Sequence, residues 1–160
     1  GFFGRTFCQK EFEAHNLTSG VAQCSVSLNR KKGTLRGMHY QVAPFEESKL
    51  VRCIRGSLYD VIIDLRSESS TFKRYMGVTL SAENRLSLYV PPQFAHGFQT
   101  LEDDTEVFYM ISEFYSPGHQ RGVRWNDPAF SIDWPDGERI IIDRDQEYLD
   151  FSPDCLSPGG

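Results

Sequence analysis

Hydrophobic and polar positions along this chain alternate far more often than they recur at helical spacing. The clearest stretch is Leu50–Arg55, then Gly56-Ser57, then Leu58–Leu65, which predicts two strands joined by a tight turn. Further β-type runs fall near residues 75–80, 86–90, 96–101, 105–112 and 139–143. Ser/Glu/Asn, Pro-Pro and Glu-Asp-Asp clusters separate them, and these residue types start and stop turns. Helical periodicity is weak, with one short turn offered by Glu11, Phe12, Glu13 and Ala14. Many short strands at regular spacing predict a sandwich or barrel. No repeat, linker or low-complexity segment breaks the pattern before a terminal Ser-Pro-Gly-Gly.

One strand carries more information than the rest. Between Leu58 and Leu65, one face presents Tyr59, Val61, Ile63 and Leu65, and the other Leu58, Asp60, Ile62 and Asp64. Periodicity alone favours an ordinary core strand with the aspartate face toward solvent. The alternative is an aspartate face that lines a polar cavity inside a barrel.

Length and composition add bounds. The 160 residues, 39% apolar and 24% charged, suit one globular domain spanning residues 1–160, large enough to bury a core around a pocket. No run approaches the roughly 18 apolar residues of a membrane span, and GFFGRTF lacks the basic and apolar regions of a secretory signal. The formal charge is −5 and the longest basic run is Arg30-Lys31-Lys32, which argues against nucleic acid as a partner. An anionic small molecule held by a few local cations fits that balance. Cys8, Cys24, Cys53 and Cys155 form neither a CxxC pair nor a metal spacing. Free, buried thiols in a reducing cytoplasm are the expectation.

Chemistry has few candidate carriers. His39 lies in Arg36-Gly37-Met38-His39-Tyr40-Gln41, just before the strand pair, and His96 in Pro91-Pro92-Gln93-Phe94-Ala95-His96-Gly97, which enters a strand. Single histidines are more often structural than catalytic, but a neighbouring glycine at each admits close approach. A metal site would need several converging imidazoles or carboxylates. The position two after His39 is Gln41, a weak ligand, so neither metal nor other cofactor is expected. Without a metal, a His, a Lys and a Tyr in one cavity suit proton abstraction beside a carbonyl. A neutral imidazole takes the proton, a cation supports the enolate and a phenol returns a proton. His39, Lys49 and one of the tyrosines are the candidates; composition does not choose among the tyrosines.

Several blocks resemble the dTDP-4-dehydrorhamnose 3,5-epimerase family. They are Gly1-Phe2-Phe3, residues 33–41, Lys49-Leu50-Val51-Arg52, Tyr59-Asp60-Val61, residues 92–98 and Arg121-Gly122-Val123-Arg124-Trp125-Asn126-Asp127-Pro128. Their order and spacing cover nearly the whole chain. The resemblance implies an all-β, cupin-like jelly roll (a double-stranded β-helix), a homodimer, and a 4-keto-6-deoxy sugar on a nucleoside diphosphate as substrate. It implies His39 as the base, Asp145 as the carboxylate that orients it with Asp60 as the alternative, Lys49 as the enolate-stabilising cation and Tyr109 as the acid. Arg36 matches a diphosphate contact, Tyr115 a nucleobase stack, and Gln23, Asp60, His96, Gln120 and Arg144 further substrate contacts.

The chain departs from the family pattern at Arg5, at Gln23-Cys24-Ser25 and at Gln120, where a glutamate is usual. These positions belong near nucleotide and sugar rather than at base or acid. Two competing readings are a non-catalytic cupin that binds a nucleotide sugar, and a metal-dependent cupin enzyme. The joint presence of His39, Lys49, Tyr109 and Asp145 favours catalysis over binding alone.

Overall fold

The computed structural model describes residues 1–153. In chain order the elements are α1 (Gln9–Ala14), β1 (Gln23–Asn29), β2 (Leu35–Gln41), β3 (Lys49–Arg55), β4 (Ser57–Asp64), β5 (Tyr75–Ser81), β6 (Ser87–Val90), β7 (Phe94–Thr100), β8 (Thr105–Ile111), β9 (Gln120–Gly122) and α2 (Asp143–Gln146). Two antiparallel sheets result, ordered β1-β8-β3-β6 and β5-β4-β7-β2-β9. The chain changes sheet at every connection except β4–β5, which makes a double-sheet jelly roll. The terminal Ser-Pro-Gly-Gly and Cys155 lie outside the described residues.

The five-stranded sheet is covered on both sides. Between the sheets, Leu58 and Ile62 pack with Val51, Cys53, Phe98 and Val107. On the far side, Val61 and Ile63 join Leu35, Met38, Tyr40, Phe130 and Trp134. This second cluster exists because the segment after β9 folds back over the sheet and lays Trp125, Ile132 and Phe151 against it. Each large apolar side chain so buried stabilises the fold by about 1.5–3 kcal/mol.

The expected solvated aspartate face of β4 is therefore corrected. Asp60 is fully buried between the sheets and Asp64 is buried at the strand end. Asp64 is satisfied locally: its carboxylate accepts hydrogen bonds from Arg66, Ser69 and Thr71 at 2.6–3.0 Å. Two further expectations are corrected. The β-type run at 139–143 forms only an isolated parallel bridge, Thr34 to Ile140, before α2. Ile140 and Ile142 both remain about half exposed, so no sheet face buries them. Among the described cysteines all three are unpaired, but only Cys53 is buried; Cys8 is intermediate and Cys24 exposed.

A β-bulge in β2 shapes the interior. Arg36 pairs with Phe98 and His39 with His96, so Gly37 and Met38 together oppose the single Gly97. Strict alternation would point Arg36 and His39 to opposite faces. The extra residue brings both to the inner face and sends Met38 to the outer cluster. Both glycines are required here. A Cβ on Gly97 would sit 2.5 Å from Met38 Sδ, and Gly37 has φ +125° with its would-be Cβ 2.5 Å from Gly97 Cα.

Candidate active site

At one end the space between the sheets is apolar; toward the other it opens into a cavity of about 350 Å³. Alternation supplies the walls. From the four-stranded sheet come Gln23, Ser25 and Ser27 of β1, Lys49 of β3 and Tyr109 of β8. From the facing sheet come Arg36 and His39 of β2 and His96 of β7. Tyr115, Gln120 and Arg144 stand on the segments around the mouth. Of the residues anticipated from sequence, only Asp60 and Asp145 do not line the cavity, and each stands directly behind a histidine that does.

His39 Nε2 lies 2.8 Å from Asp145 Oδ1. Asp145 is fully buried, and its other oxygen accepts the Gly37 N–H at 3.0 Å. Burial alone would raise its pKa. The hydrogen bond from His39, with the Gly37 amide and the Arg144 charge, overrides that and holds it below the ordinary carboxylate value. An ionised carboxylate only accepts, so His39 Nε2 carries the hydrogen and Nδ1 is the free, basic nitrogen of the neutral ring. Arg144 Nη2 lies 3.4 Å from the same Nε2, but both are donors and the contact is no competitor. Asp60 turns to His96 instead, 2.6 Å from Nε2 to Oδ1. The structure thus pairs Asp145, not Asp60, with His39.

Facing this pair, the Tyr109 hydroxyl lies 3.3 Å from Ser27 Oγ. Burial pushes its phenol well up, and the Ser27 hydrogen bond and the Arg36 charge offset only part of this. Tyr109 is therefore a neutral O–H at physiological pH. Lys49 Nζ donates to Glu47 Oε1 at 2.6 Å, with only 13% of its side chain exposed. Arg36 Nε donates to Asn29 Oδ1 at 2.7 Å, which aims the guanidinium along the wall. At the mouth Tyr115 is 57% exposed; its hydroxyl donates to Gln120 Oε1 at 2.6 Å and its amide to Gln23 Oε1 at 3.0 Å.

Sequence reasoning missed three neighbours. Glu47 precedes Lys49 by two positions, a spacing that places both on one side of an extended chain. Ser27 lies on the polar face of β1, whose alternation was readable. Tyr148 packs edge-on to His39, ring centroids 6.1 Å apart, and fills the space beside Gly122; it carries no local signal. Of the departures, Ser25 and Gln120 line the cavity, whereas Arg5 pairs with Glu11 on α1. Among the described residues no group of three or more His, Cys, Asp or Glu gathers as a metal site, and no helix is long and apolar enough to cross a membrane.

A cupin-like jelly roll with a His–Asp pair, a buried phenol and a lysine converging on one cavity marks the class of sugar epimerases, which are isomerases. The chain belongs to the dTDP-4-dehydrorhamnose 3,5-epimerase family, whose model matches residues 1–152. It is 42% identical to the dTDP-4-dehydrorhamnose 3,5-epimerase of Shigella flexneri over 154 residues, covering 94% of this chain and 84% of that one. The enzyme of the same name from Bacillus anthracis, solved with TDP and PPi bound, superposes with a TM-score of 0.91 at 42% identity, covering 94% and 86% of the two chains. A 3′-monoepimerase from Streptomyces bikiniensis in complex with dTDP-quinovose is 33% identical, with a TM-score of 0.85 over 91% and 74% of the chains. An epimerase of deoxysugar biosynthesis is the activity these likenesses define.

Proposed function

We propose that the chain inverts a carbon beside the C4 ketone (C3, C5 or both) of a 4-keto-6-deoxy sugar carried on a nucleoside diphosphate, dTDP by the likeness of its relatives. The observation that carries this reading is the opposition of His39 and Tyr109, a base and a protonated acid on facing sheets of one cavity. His39 Nδ1 takes the proton, the C–H electrons form a C=C bond, and the carbonyl π pair moves onto the C4 oxygen. The Lys49 ammonium stabilises that oxygen as charge develops. The Tyr109 O–H then delivers a proton to the opposite face, which inverts the centre, and the imidazolium and tyrosinate return to their resting states through solvent. Asp145 holds the imidazole in the required tautomer throughout.

Arg36 and Arg144 supply positive charge for the diphosphate, and exposed Tyr115 offers a ring for the base to stack upon. A homodimer is part of the proposal. Phe2, Phe3, Val26 and Ile54 are exposed apolar side chains, and the last two lie on the outer face of the four-stranded sheet. The acidic charge gives no footprint for nucleic acid, and unpaired thiols fit a reducing cytoplasm.

Proton NMR in deuterated water, with 4-keto-6-deoxy sugars on dTDP and on a second nucleoside diphosphate, tests this. Exchange beside the ketone with product of inverted configuration is expected, faster on dTDP. Tight binding without exchange on any carrier would instead support a sugar-binding cupin, and exchange that depended on an added divalent ion a metal-dependent one.

A further inference from the structure

Beside Lys49 the cavity wall carries a carboxylate for which the reaction above has no use. Glu47 lines the cavity and is 9% exposed. One oxygen, Oε1, takes the Lys49 ammonium at 2.6 Å. The other, Oε2, is buried and has no hydrogen-bond partner among the described residues. A buried carboxylate oxygen left unpaired is costly. Anchoring a lysine needs one oxygen, and because Glu47 stands in the cavity wall, a small turn of its carboxylate brings the second to a donor that enters the cavity. As an ionised acceptor it suits a hydroxyl donor and repels an oxyanion, so it is no diphosphate contact.

We infer that Glu47 is a specificity residue: Oε1 fixes Lys49 while Oε2 accepts a hydrogen bond from the sugar's C3 hydroxyl. This rests on the reading of Lys49 as the partner of the C4 oxygen. Given that reading, the choice of hydroxyl follows by elimination. A 6-deoxy sugar has no hydroxyl on C6, and C5 bears the ring oxygen. The hydroxyl neighbouring the C4 carbonyl is that on C3, and vicinal oxygens match a Lys Nζ and a Glu oxygen clamped side by side. The pair thus reads an α-hydroxyketone as a unit, ammonium on the ketone and carboxylate on the hydroxyl. A C3 position stripped of its donor leaves Oε2 buried and unpaired in the complex.

The test compares a 3-hydroxy and a 3-deoxy 4-keto-6-deoxy nucleotide sugar by solvent-deuterium exchange beside the ketone, in the unaltered enzyme, Glu47→Ala and Glu47→Gln. The unaltered enzyme should favour the hydroxylated sugar by roughly 10–100-fold in kcat/KM, as for loss of a hydrogen bond to a charged acceptor. Glu47→Ala should bring that ratio toward unity. Glu47→Gln, which keeps the shape and a neutral acceptor, should leave an intermediate ratio and decides the matter should the alanine variant fail to fold. Equal losses on both sugars, with the ratio unchanged, would show that Glu47 acts through Lys49 alone and would overturn the assignment. An unaltered enzyme that exchanges neither sugar would overturn the epimerase reading itself, and the assignment with it.

Discussion

Replacing Asp145 by asparagine changes one atom and should disable the base. The carboxylate now holds two buried donors, His39 N–H on Oδ1 and Gly37 N–H on Oδ2. An amide has one oxygen to share between them. Gly37 sits in the β-bulge and its N–H cannot move, whereas the Arg144 guanidinium, which also reaches Oδ1 at 3.3 Å, is half exposed and can swing to solvent. Keeping the oxygen on Gly37 avoids a donor facing a donor, worth about 1–3 kcal/mol for a buried group. That preference is a factor of roughly 5–150 at room temperature. The N–H₂ of the substituted side chain then points at His39 Nε2, which must accept, and the imidazole hydrogen moves to Nδ1. The nitrogen that should take the substrate proton no longer has a free lone pair. Turnover then runs only through the minority productive tautomer, so the rate should fall by roughly the same 5–150-fold, and loss of the carboxylate charge weakens the base further. The assay is deuterium wash-in beside the ketone at saturating substrate, with nucleoside diphosphate binding as the control for an intact pocket. Binding should persist, because Arg36 and Tyr115 do not touch Asp145; only the share contributed by Arg144, released from Oδ1, should change. Exchange at the rate of the unaltered enzyme would refute the orienting role.

Other perturbations probe the remaining parts. Tyr109→Phe keeps the ring but removes the acid, so exchange should continue with retention while inverted product, read by NMR, all but disappears. Arg36→Lys gives up the planar fork, and should raise the Kd for a nucleoside diphosphate by calorimetry without lowering the melting temperature. Asp64→Asn tests stability rather than chemistry. Burial would raise the Asp64 carboxyl, yet its hydrogen bonds from Arg66, Ser69 and Thr71 hold it well below the ordinary range. A depressed folded value means stability that is complete above the unfolded value of about 3.9 and lost as pH falls through the lower folded value. The variant should be less stable by about 1–3 kcal/mol at neutral pH, and denaturant melts should show the gap closing below about pH 4. A gap that stayed constant into acid would mean that Asp64 is not ionised in the fold.

The strands from β3 to β8 were legible because each is a short apolar or alternating run bounded by turn residues. β1 was equally regular but inverted: its polar residues Gln23, Ser25 and Ser27 face inward and its apolar Val26 faces out. An inward polar face has no place in a plain core strand and makes sense only around a cavity. β2 hid behind its bulge, since Gly37-Met38 breaks the alternation at the point where Arg36 and His39 must share a face. For the same reason no spacing rule links those two residues. The aspartates of β4 looked solvent-facing because nothing local announces that residues 123–151 will cover the opposite side of the sheet. The His39–Asp145 pair spans 106 positions, and only the family resemblance put those residues together. Glu47 escaped notice because a glutamate two before a lysine reads as a surface ion pair until its burial is seen.

The most direct test of the central claim is wash-in of solvent deuterium into a dTDP-linked 4-keto-6-deoxy sugar by the unaltered chain and by His39→Asn. The unaltered chain should label the carbon beside the ketone and release inverted sugar. His39→Asn should do neither, slower by about 10²–10⁴, while still binding the nucleotide. Near-normal labelling by His39→Asn would contradict the assignment of the base and, with it, the reading of the cavity as a proton-transfer site built around that histidine.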